Sequence, residues 1–172
     1  MIINTLALHN FMSYADINLE LTSVDVACLS GRNGSGKSAL LDAITWALWE
    51  RARAGSDELI RIGEKEMWVD MVFSYEGRTY RVRRSRQKKL SKKGGKASSK
   101  GTLEFQVLME VESDEAAEPV GAYSLRSGAI NQVVASKPAL KTKEGRWKSL
   151  TGGSMRATQQ VITDLLRMEF DT

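Results

Sequence analysis

Near its start the chain carries two stretches in which apolar and polar residues alternate, as in strands with one buried face. The first runs from Met1 to Leu8 and the second from Ile17 to Leu21. A nearly continuous apolar run from Val24 to Leu29 follows, and this pattern predicts a central strand buried on both faces. The apolar spacing then changes to that of an amphipathic helix over Ser38 to Trp49.

Beyond this helix the pattern changes to antiparallel β-structure. A turn at Glu76-Gly77 separates two alternating segments and predicts a hairpin. Near the end of the chain, apolar spacing predicts a second helix over Thr158 to Met168, with Ser154 as a candidate cap. The predicted strands beyond the first helix are 67–73, a return strand starting at 79–82, 103–111 and a further candidate at 120–125.

The residues between the apolar run and the first helix form a phosphate-binding motif. The sequence GRNGSGKS, from Gly31 to Ser38, fits the Walker A pattern GxxxxGK[ST], with a strand pattern before it and a helix pattern after it. Glycines let the backbone curl so that several N–H groups point at one centre, beside the positive end of the helix. We expect Lys37 to reach the β and γ phosphates as the catalytic lysine, and the Ser38 hydroxyl to ligate Mg²⁺. The motif therefore predicts ATP and Mg²⁺ as cofactors.

Composition limits the class of protein. The chain has 172 residues, of which 42% are hydrophobic and 27% charged, which suits one globular core. It contains no apolar run of about 18 residues and no signal-type start, so we expect no membrane partner and a cytoplasmic location. Because Cys28 is the single cysteine and sits in the apolar run, we expect a buried, inert thiol.

Positive charge is concentrated in one segment. Eleven of the 25 basic residues and none of the acidic ones fall between Arg78 and Lys100. Residues 85–101 read as a mobile basic loop at the tip of a hairpin. Contact with DNA phosphates is one interpretation; a solvated hairpin tip, or a face packed against acidic residues of another lobe, is the other. The candidate DNA contacts are Arg84, Arg86, Lys88, Lys89, Lys92 and Lys93.

Several segments together resemble a known family. These are LALHNFMSYADINLEL, LSGRNGSGKSALLDAITWALW, RIGEKEMWVDMVFSYEGRTYRVRR and ITDLLRMEFDT. They are similar to the N-terminal lobe of the SbcC family, in the SMC-like branch of ABC-type ATPases. The resemblance implies an α/β fold: an ABC-ATPase-type P-loop lobe with a mixed β-sheet, an antiparallel hairpin region and flanking helices. Residues 1–172 would form this single lobe, without the C-terminal lobe and the coiled coil.

The resemblance also implies a set of residues around the nucleotide. Many relatives have an arginine where this chain has Met12, so one phosphate contact is in doubt here. Asp42, on the first helix, is expected to support packing or capping rather than to bind magnesium. The expected nucleotide-binding residues are Met12, Ser13, Arg32, Asn33, Gly34, Ser35, Gly36, Lys37, Ser38, Ala39, Ile60, Arg61 and Ile62.

The chain lacks other parts that such an ATPase needs. We find no magnesium-binding aspartate after four apolar residues with a glutamate beside it, and no glutamine loop. The sequence LTGGS at Leu150 to Ser154 looks like the ABC signature, but we interpret it as a loop leading into the second helix. The resemblance implies a C-terminal lobe of the same protein, a second copy in an ATP-sandwich dimer, an SbcD-type metallonuclease and double-stranded DNA as partners. The isolated chain is then expected to hydrolyse ATP negligibly.

Two other functions remain open at this point. One is a chromosome-structuring SMC-like ATPase without a nuclease partner, which shares the same loop. The other is a self-contained P-loop kinase or GTPase, although the chain has no NKxD-type guanine motif and no convincing lid.

Overall fold

The computed structural model describes residues 1–89 apart from Ser23 and Asp25, residues 98–110 and residues 145–167. Within these residues the chain forms six strands and two helices. In chain order they are β1 (Ile2–Phe11), β2 (Tyr14–Glu20), α1 (Lys37–Trp49), β3 (Glu66–Tyr75), β4 (Arg78–Lys89), β5 (Ser98–Glu110), β6 (Gly145–Ser149) and α2 (Met155–Leu166).

The strands form one sheet in the order β2-β1-β3-β4-β5-β6, and each of these pairings is antiparallel. The predicted hairpin is confirmed as β3 and β4. Its turn residues, Glu76 and Gly77, both have positive φ, at 47° and 76°. Two consecutive positive φ values match the right-handed twist of the strands that they join. The turn therefore sets the register that brings the basic strand β4 beside β3.

Both helices pack on one face of the sheet, where the core lies. Leu6, Val69 and Val82 come from this face of β1, β3 and β4, and each is at most 1% exposed. Trp46 of α1 and Ile162 of α2 belong to the same buried cluster. This arrangement confirms an α/β fold with an antiparallel hairpin region and flanking helices.

The opposite face of the sheet is polar. His9 stacks on Trp68 with ring centroids 5.5 Å apart, and the Arg83 guanidinium lies 4.6 Å from the centroid of the same indole ring. Asp70 accepts hydrogen bonds from Arg81 and Arg83. Alternation along the strands thus separates an apolar, helix-covered face from an ion-paired face without a described helix on it.

Both predicted helices are confirmed, with shifted boundaries. The first begins one residue earlier than expected, at Lys37. The second begins at Met155, because the Ser154 hydroxyl accepts a hydrogen bond of 3.1 Å from the Ala157 N–H and caps the first turn. Its buried residues Thr158, Ile162 and Leu166 recur every four positions, as expected for a helix with one packed face.

The prediction of a buried central strand at Val24 to Leu29 was wrong within the described residues. The segment is not a strand; Val26 is 88% exposed and Leu29 is 47% exposed. The Cys28 thiol is exposed as well, so the prediction of a buried cysteine was also wrong. An apolar run predicts burial only if other strands cover it, and none of the described strands pairs with this segment.

The basic segment is more regular than its composition predicted. Residues 85–89 continue β4 and residues 98–101 begin β5, so the loop expected over 85–101 is at least partly strand. Polar residues in strand alternation gave little signal there, since lysine and serine are also typical of loops. The strand β6 was not predicted, and the candidate strand at 120–125 lies outside the described residues.

Candidate nucleotide-binding site

The Walker A residues lie at the start of α1, on the surface of the molecule. Gly31 to Ser35 are exposed, Lys37 is half-buried and Ser38 is exposed, while Ala39 is 4% exposed and anchors the helix to the core. The loop leads directly into the helix, because Gly36 is the N-cap and Lys37 the first helical residue. The residues predicted to wrap phosphates are therefore grouped at one helix terminus.

Gly36 can adopt the conformation that the loop requires because it has no side chain. Its φ is 93°, in the left-handed region that disfavours other residues. A Cβ atom at this position would lie 2.6 Å from Ser13 Oγ and 3.0 Å from the Tyr14 hydroxyl oxygen. The Tyr14 hydroxyl also donates a hydrogen bond of 3.2 Å to the Gly36 carbonyl. The start of β2 is thus in direct contact with the phosphate loop, whereas the position of Met12 and Ser13 beside a nucleotide stays a prediction.

The N-terminus of α1 has no side-chain cap. Gly36 offers none, and the first turn contains no acidic residue. The first N–H groups of a helix have no partner within the helix and carry a partial positive charge. Such a terminus suits an anion, and a glycine-rich loop before it adds further N–H donors.

Lys37 bonds to the loop itself. Its Nζ donates to the carbonyl oxygens of Gly31, at 2.6 Å, and of Arg32, at 2.8 Å. The ammonium group is therefore held over the loop by two neutral acceptors. A phosphate oxygen is a stronger acceptor for an ammonium than a carbonyl is, so a bound polyphosphate competes well for this group.

Asp42 has a structural partner, as expected. Its side chain is buried and accepts hydrogen bonds from the Arg53 backbone N–H at 3.3 Å and from Arg53 Nη2 at 2.6 Å. This carboxylate fixes the segment that follows α1 to the middle of the helix. The expectation of packing support agrees with these contacts.

The segment around Ile60 runs beside the end of β1. Met12 N donates to Leu59 O at 2.7 Å, and Arg61 N donates to Asn10 O at 2.9 Å. The segment is thereby tied to the connection that touches the loop.

The side chains of the predicted triplet point into different environments. Ile60 is 3% exposed and belongs to the core, whereas Ile62 is 99% exposed. Arg61 is half-buried. Contact of Ile60, Arg61 and Ile62 with an adenosine stays a prediction, and the burial of Ile60 leaves mainly its backbone for such contact.

The candidate DNA-contacting residues are not equivalent. Arg84 is 1% exposed, so the expectation that its side chain meets DNA is corrected: its guanidinium lies inside the molecule. Arg86 donates to Asp57 at 2.7 Å and to Ser99 at 2.8 Å. Lys88 is exposed on β4. Lys89 ends the strand, and Lys92 and Lys93 lie outside the described residues.

The residues Leu150 to Ser154 lead into α2, as expected. The Thr158 hydroxyl accepts a hydrogen bond of 3.0 Å from the Gly152 N–H, and Ser154 caps the helix. Thr151 is bonded to the backbone of Phe105 on β5. These contacts give Gly152 a structural role at the start of α2.

Two residues next to the site were not predicted from the sequence. Tyr14 contacts Gly36, and Arg53 holds Asp42. The signal for Tyr14 was its position in the sequence, because it is the first residue of β2 and directly follows the short connection after β1. Arg53 gave no signal, since only the fold shows which of the many arginines faces Asp42.

Metal ligands are scarce around the loop. Across the described residues, no three His, Cys, Asp or Glu side chains are grouped to hold a metal ion. The exposed Ser38 hydroxyl at the helix start is a hard oxygen donor of the kind that Mg²⁺ accepts. Mg²⁺ often takes most of its other ligands from phosphates and water, so one hydroxyl fits a nucleotide-borne ion.

Neither described helix is long and apolar enough to cross a membrane.

Together, a glycine-rich loop, an uncapped helix start and a lysine above the loop define the phosphate-binding lobe of a P-loop nucleotide-binding protein. A protein-family profile described as "AAA domain" matches residues 5–156. The chain therefore belongs to the AAA domain family. Within it, the chain resembles the N-terminal lobe of SbcC and Rad50 ATPases, which confirms the family resemblance and the ABC-ATPase-type fold.

Named relatives support this placement. The chain is 31% identical over 172 residues to the SbcC component of the SbcCD nuclease of Deinococcus radiodurans, covering 97% of the chain and 14% of the relative. It is 37% identical over 86 residues to the DNA double-strand break repair Rad50 ATPase of Thermoplasma volcanium, covering 49% of the chain and 10% of that protein. The chain thus spans only a small part of the curated relatives that it matches.

One solved structure is also similar. It is described as the recombination mediator protein RecF with ATP in the RecFOR pathway. The two chains share 21% sequence identity, with a TM-score of 0.42. The matched region covers 58% of this chain and 26% of the RecF chain.

Proposed function

We propose that this chain is the ATP-binding N-terminal lobe of a DNA double-strand break repair ATPase that controls a partner nuclease. The observation that carries the proposal is the start of α1, where Lys37 lies over a glycine-rich loop and no side chain caps the helix. Such a terminus favours a polyphosphate, because the helix end, the loop N–H groups and the ammonium are all positive.

The nucleotide would bring Mg²⁺ with it. The Ser38 hydroxyl would hold the ion beside the phosphates, and the ion would neutralise charge that develops on the transferred phosphoryl group. Lys37 would exchange its two carbonyl acceptors for phosphate oxygens. The Tyr14 hydroxyl donates a hydrogen bond to the Gly36 carbonyl and would help to keep the loop in shape.

A second lobe would complete the enzyme. The apolar residues Val26 and Leu29 are exposed next to the phosphate loop, as expected for a segment that another part of the protein covers. The described residues also supply no acidic cluster for the metal. A C-terminal lobe of the same protein would cover the segment and supply the missing carboxylates, and a second copy would close the ATP sandwich.

The names of the relatives support a choice of partners. One relative is named as part of a nuclease and another as a DNA double-strand break repair ATPase. We infer an SbcD-type metallonuclease and double-stranded DNA as partners of the assembled protein, in the cytoplasm. Copurification of the full-length protein with a metallonuclease supports this role, and its absence under conditions that retain ATPase activity favours a chromosome-structuring role.

Calorimetric titration of Mg-ATP into the chain tests the central claim. We expect saturable binding that Lys37→Ala weakens by about ten- to a hundredfold, the typical effect of losing a charged hydrogen bond. Lys65→Ala removes an exposed lysine outside the loop and should leave the affinity unchanged. Equal affinity of the wild type and Lys37→Ala would reject the site.

The hydrolysis assay tests the need for a second lobe. The chain alone should hydrolyse ATP negligibly, because a phosphate loop without a base for water only binds the nucleotide. Robust turnover that disappears in Lys37→Ala would show that the chain carries its own catalytic groups.

A further inference from the structure

The far end of α1 is tied to α2 through a buried arginine. Arg84 reaches from β4 and is 1% exposed. Its Nε donates to the Ala47 carbonyl at 3.2 Å and its Nη1 to Glu50 Oε2 at 3.1 Å, and its Nη2 lies 2.5 Å from Gln159 Oε1. The three donors of one planar group therefore bind two residues at the end of α1 and one residue of α2.

Gln159 completes the connection in the other direction. While its Oε1 accepts from Arg84, its Nε2 donates to the Leu48 carbonyl at 2.7 Å. Both atoms of the amide are used, so its orientation is fixed. The helix carbonyls of Ala47 and Leu48, which have no partner further along α1, are satisfied by β4 and α2.

Arg84 and Gln159, with the hydrogen bonds that join them to the end of α1, form a clamp, and the guanidinium in this clamp is charged. Burial lowers the pKa of Arg84 to about 10, while the charge of Glu50 opposes the shift. The guanidinium is therefore still protonated at neutral pH, next to the negative end of the α1 dipole. The same helix has its positive end at the phosphate loop, about 20 Å away along its 13 residues.

We propose that Arg84 and Gln159 are positioning residues that transmit occupancy of the phosphate loop to α2. A nucleotide that restrains the first turn of α1 restrains the whole rigid helix, and the clamp passes this restraint to α2. The inference rests on the proposed function, because the nucleotide is its input. A packing contact alone lets helices slide. Here the three guanidinium nitrogens of Arg84 and the two amide atoms of Gln159 all form hydrogen bonds where α1 meets α2, and these bonds oppose sliding.

Hydrogen exchange with and without Mg-ATP tests the link. In the wild type, amides of the phosphate loop and of α2 should both exchange more slowly with nucleotide, by about fivefold or more for α2. Gln159→Met keeps the volume and removes both hydrogen bonds, so protection of the loop should remain while the gain in α2 is lost. Gln160→Met is the matched control, since this neighbour bonds to Asp164 on the exposed side of α2.

Arg84→Lys is a second variant, which keeps the cation but cannot bond all three partners. It should likewise lose the gain in α2, and circular dichroism shows which of the two variants is folded and usable. Undiminished ATP-dependent protection of α2 in a folded variant overturns the link, and so does wild-type protection confined to the loop. Absence of ATP binding to the wild type in calorimetry overturns the proposed function as well, so the two failures are distinguishable.

Discussion

Arg53 and Asp42 form an ion pair in which the acidic partner is buried and the basic partner is exposed. Arg53 Nη2 lies 2.6 Å from Asp42 Oδ2, and the exposed fractions of the side chains are 63% and 7%. The guanidinium covers a carboxylate that water hardly reaches. The same bond holds the chain after α1 against the helix that presents the phosphate loop.

This asymmetry predicts unequal effects of the two partners on stability. Arg53→Ala leaves a buried carboxylate without its guanidinium, whereas Asp42→Asn leaves an arginine that water can solvate. We expect Arg53→Ala to lower the urea midpoint more, although Arg53 is the exposed residue. A double variant with both changes should be more stable than Arg53→Ala alone. Equal midpoints for the two single variants would contradict the prediction.

Gly36→Ala should distort the phosphate loop. The variant has two costs: about 1–2 kcal/mol for a left-handed conformation and about 1–3 kcal/mol for the contacts of the new Cβ with Ser13 and Tyr14. Gly63→Ala is a matched control, because Gly63 has the same φ of 93° and no atom within 4 Å of the new Cβ. Urea unfolding should show a larger loss for Gly36→Ala, and calorimetry should show lost Mg-ATP affinity only there. Similar losses of stability in both variants would show that Ser13 and Tyr14 move away from the new Cβ without destabilising the fold.

Asp57 and Arg86 predict a pH-dependent contribution to stability. The hydrogen bond from Arg86 lowers the pKa of Asp57 below 3.8, partial burial opposes this shift, and a hydrogen bond from Ser99 adds to it. Since the folded chain binds the proton more weakly than the unfolded chain, the pair stabilises above pH 3.8 and this stabilisation is lost as pH falls through the folded pKa.

Asp57→Asn should therefore be less stable than the wild type at pH 7. The difference should shrink as the pH falls below 3.8 and vanish at the lowest pH at which both proteins fold. Thermal unfolding over this pH range measures it. Glu64→Gln, which changes an exposed carboxylate in a neighbouring turn, should show no such convergence. A constant difference between Asp57→Asn and wild type would contradict the role of the charge.

Loss of the two lysines at the end of β4, Lys88 and Lys89, should weaken the binding of duplex DNA. Within the described residues, Lys88 is the candidate whose side chain is exposed on the surface, because Arg84 is buried and Arg86 is bound to Asp57. We expect Lys88→Ser with Lys89→Ser to lower the affinity of the assembled protein for duplex DNA. Each lost phosphate contact should reduce the salt slope by about 0.9.

A matched control removes the same charge elsewhere. Arg146→Ser with Lys148→Ser deletes two exposed basic residues on β6, two strands away from β4 in the sheet. Anisotropy titrations at several salt concentrations compare the two double variants. Equal loss of affinity in both double variants would mean that net charge decides the affinity. Unchanged binding at low salt in the variant of Lys88 and Lys89 would remove this end of β4 from the interface.

Prediction from the amino-acid sequence was most reliable where one local pattern is sufficient. The Walker A spacing located the loop, and the apolar period located both helices to within a few residues. It failed at Val26 and Cys28, because an apolar run shows that a segment is suited to burial without showing what covers it.

It failed differently at Arg84. An arginine in a basic run looks like a surface charge, and only the fold shows that alternation along β4 turns this one towards the end of α1 and towards Gln159 of α2. The partners of Arg84 lie 34 to 75 positions away in sequence. No local pattern contains contacts of that range.

The exposed position of Cys28 has a practical consequence for measuring these reactions. It is the single cysteine of the chain, and it precedes the first glycine of the phosphate loop by only three positions. A maleimide dye therefore attaches at one defined place without any engineered substitution. Its emission would report the arrival of a nucleotide in real time, and quenching on addition of a separate partner fragment would time the covering of this same segment.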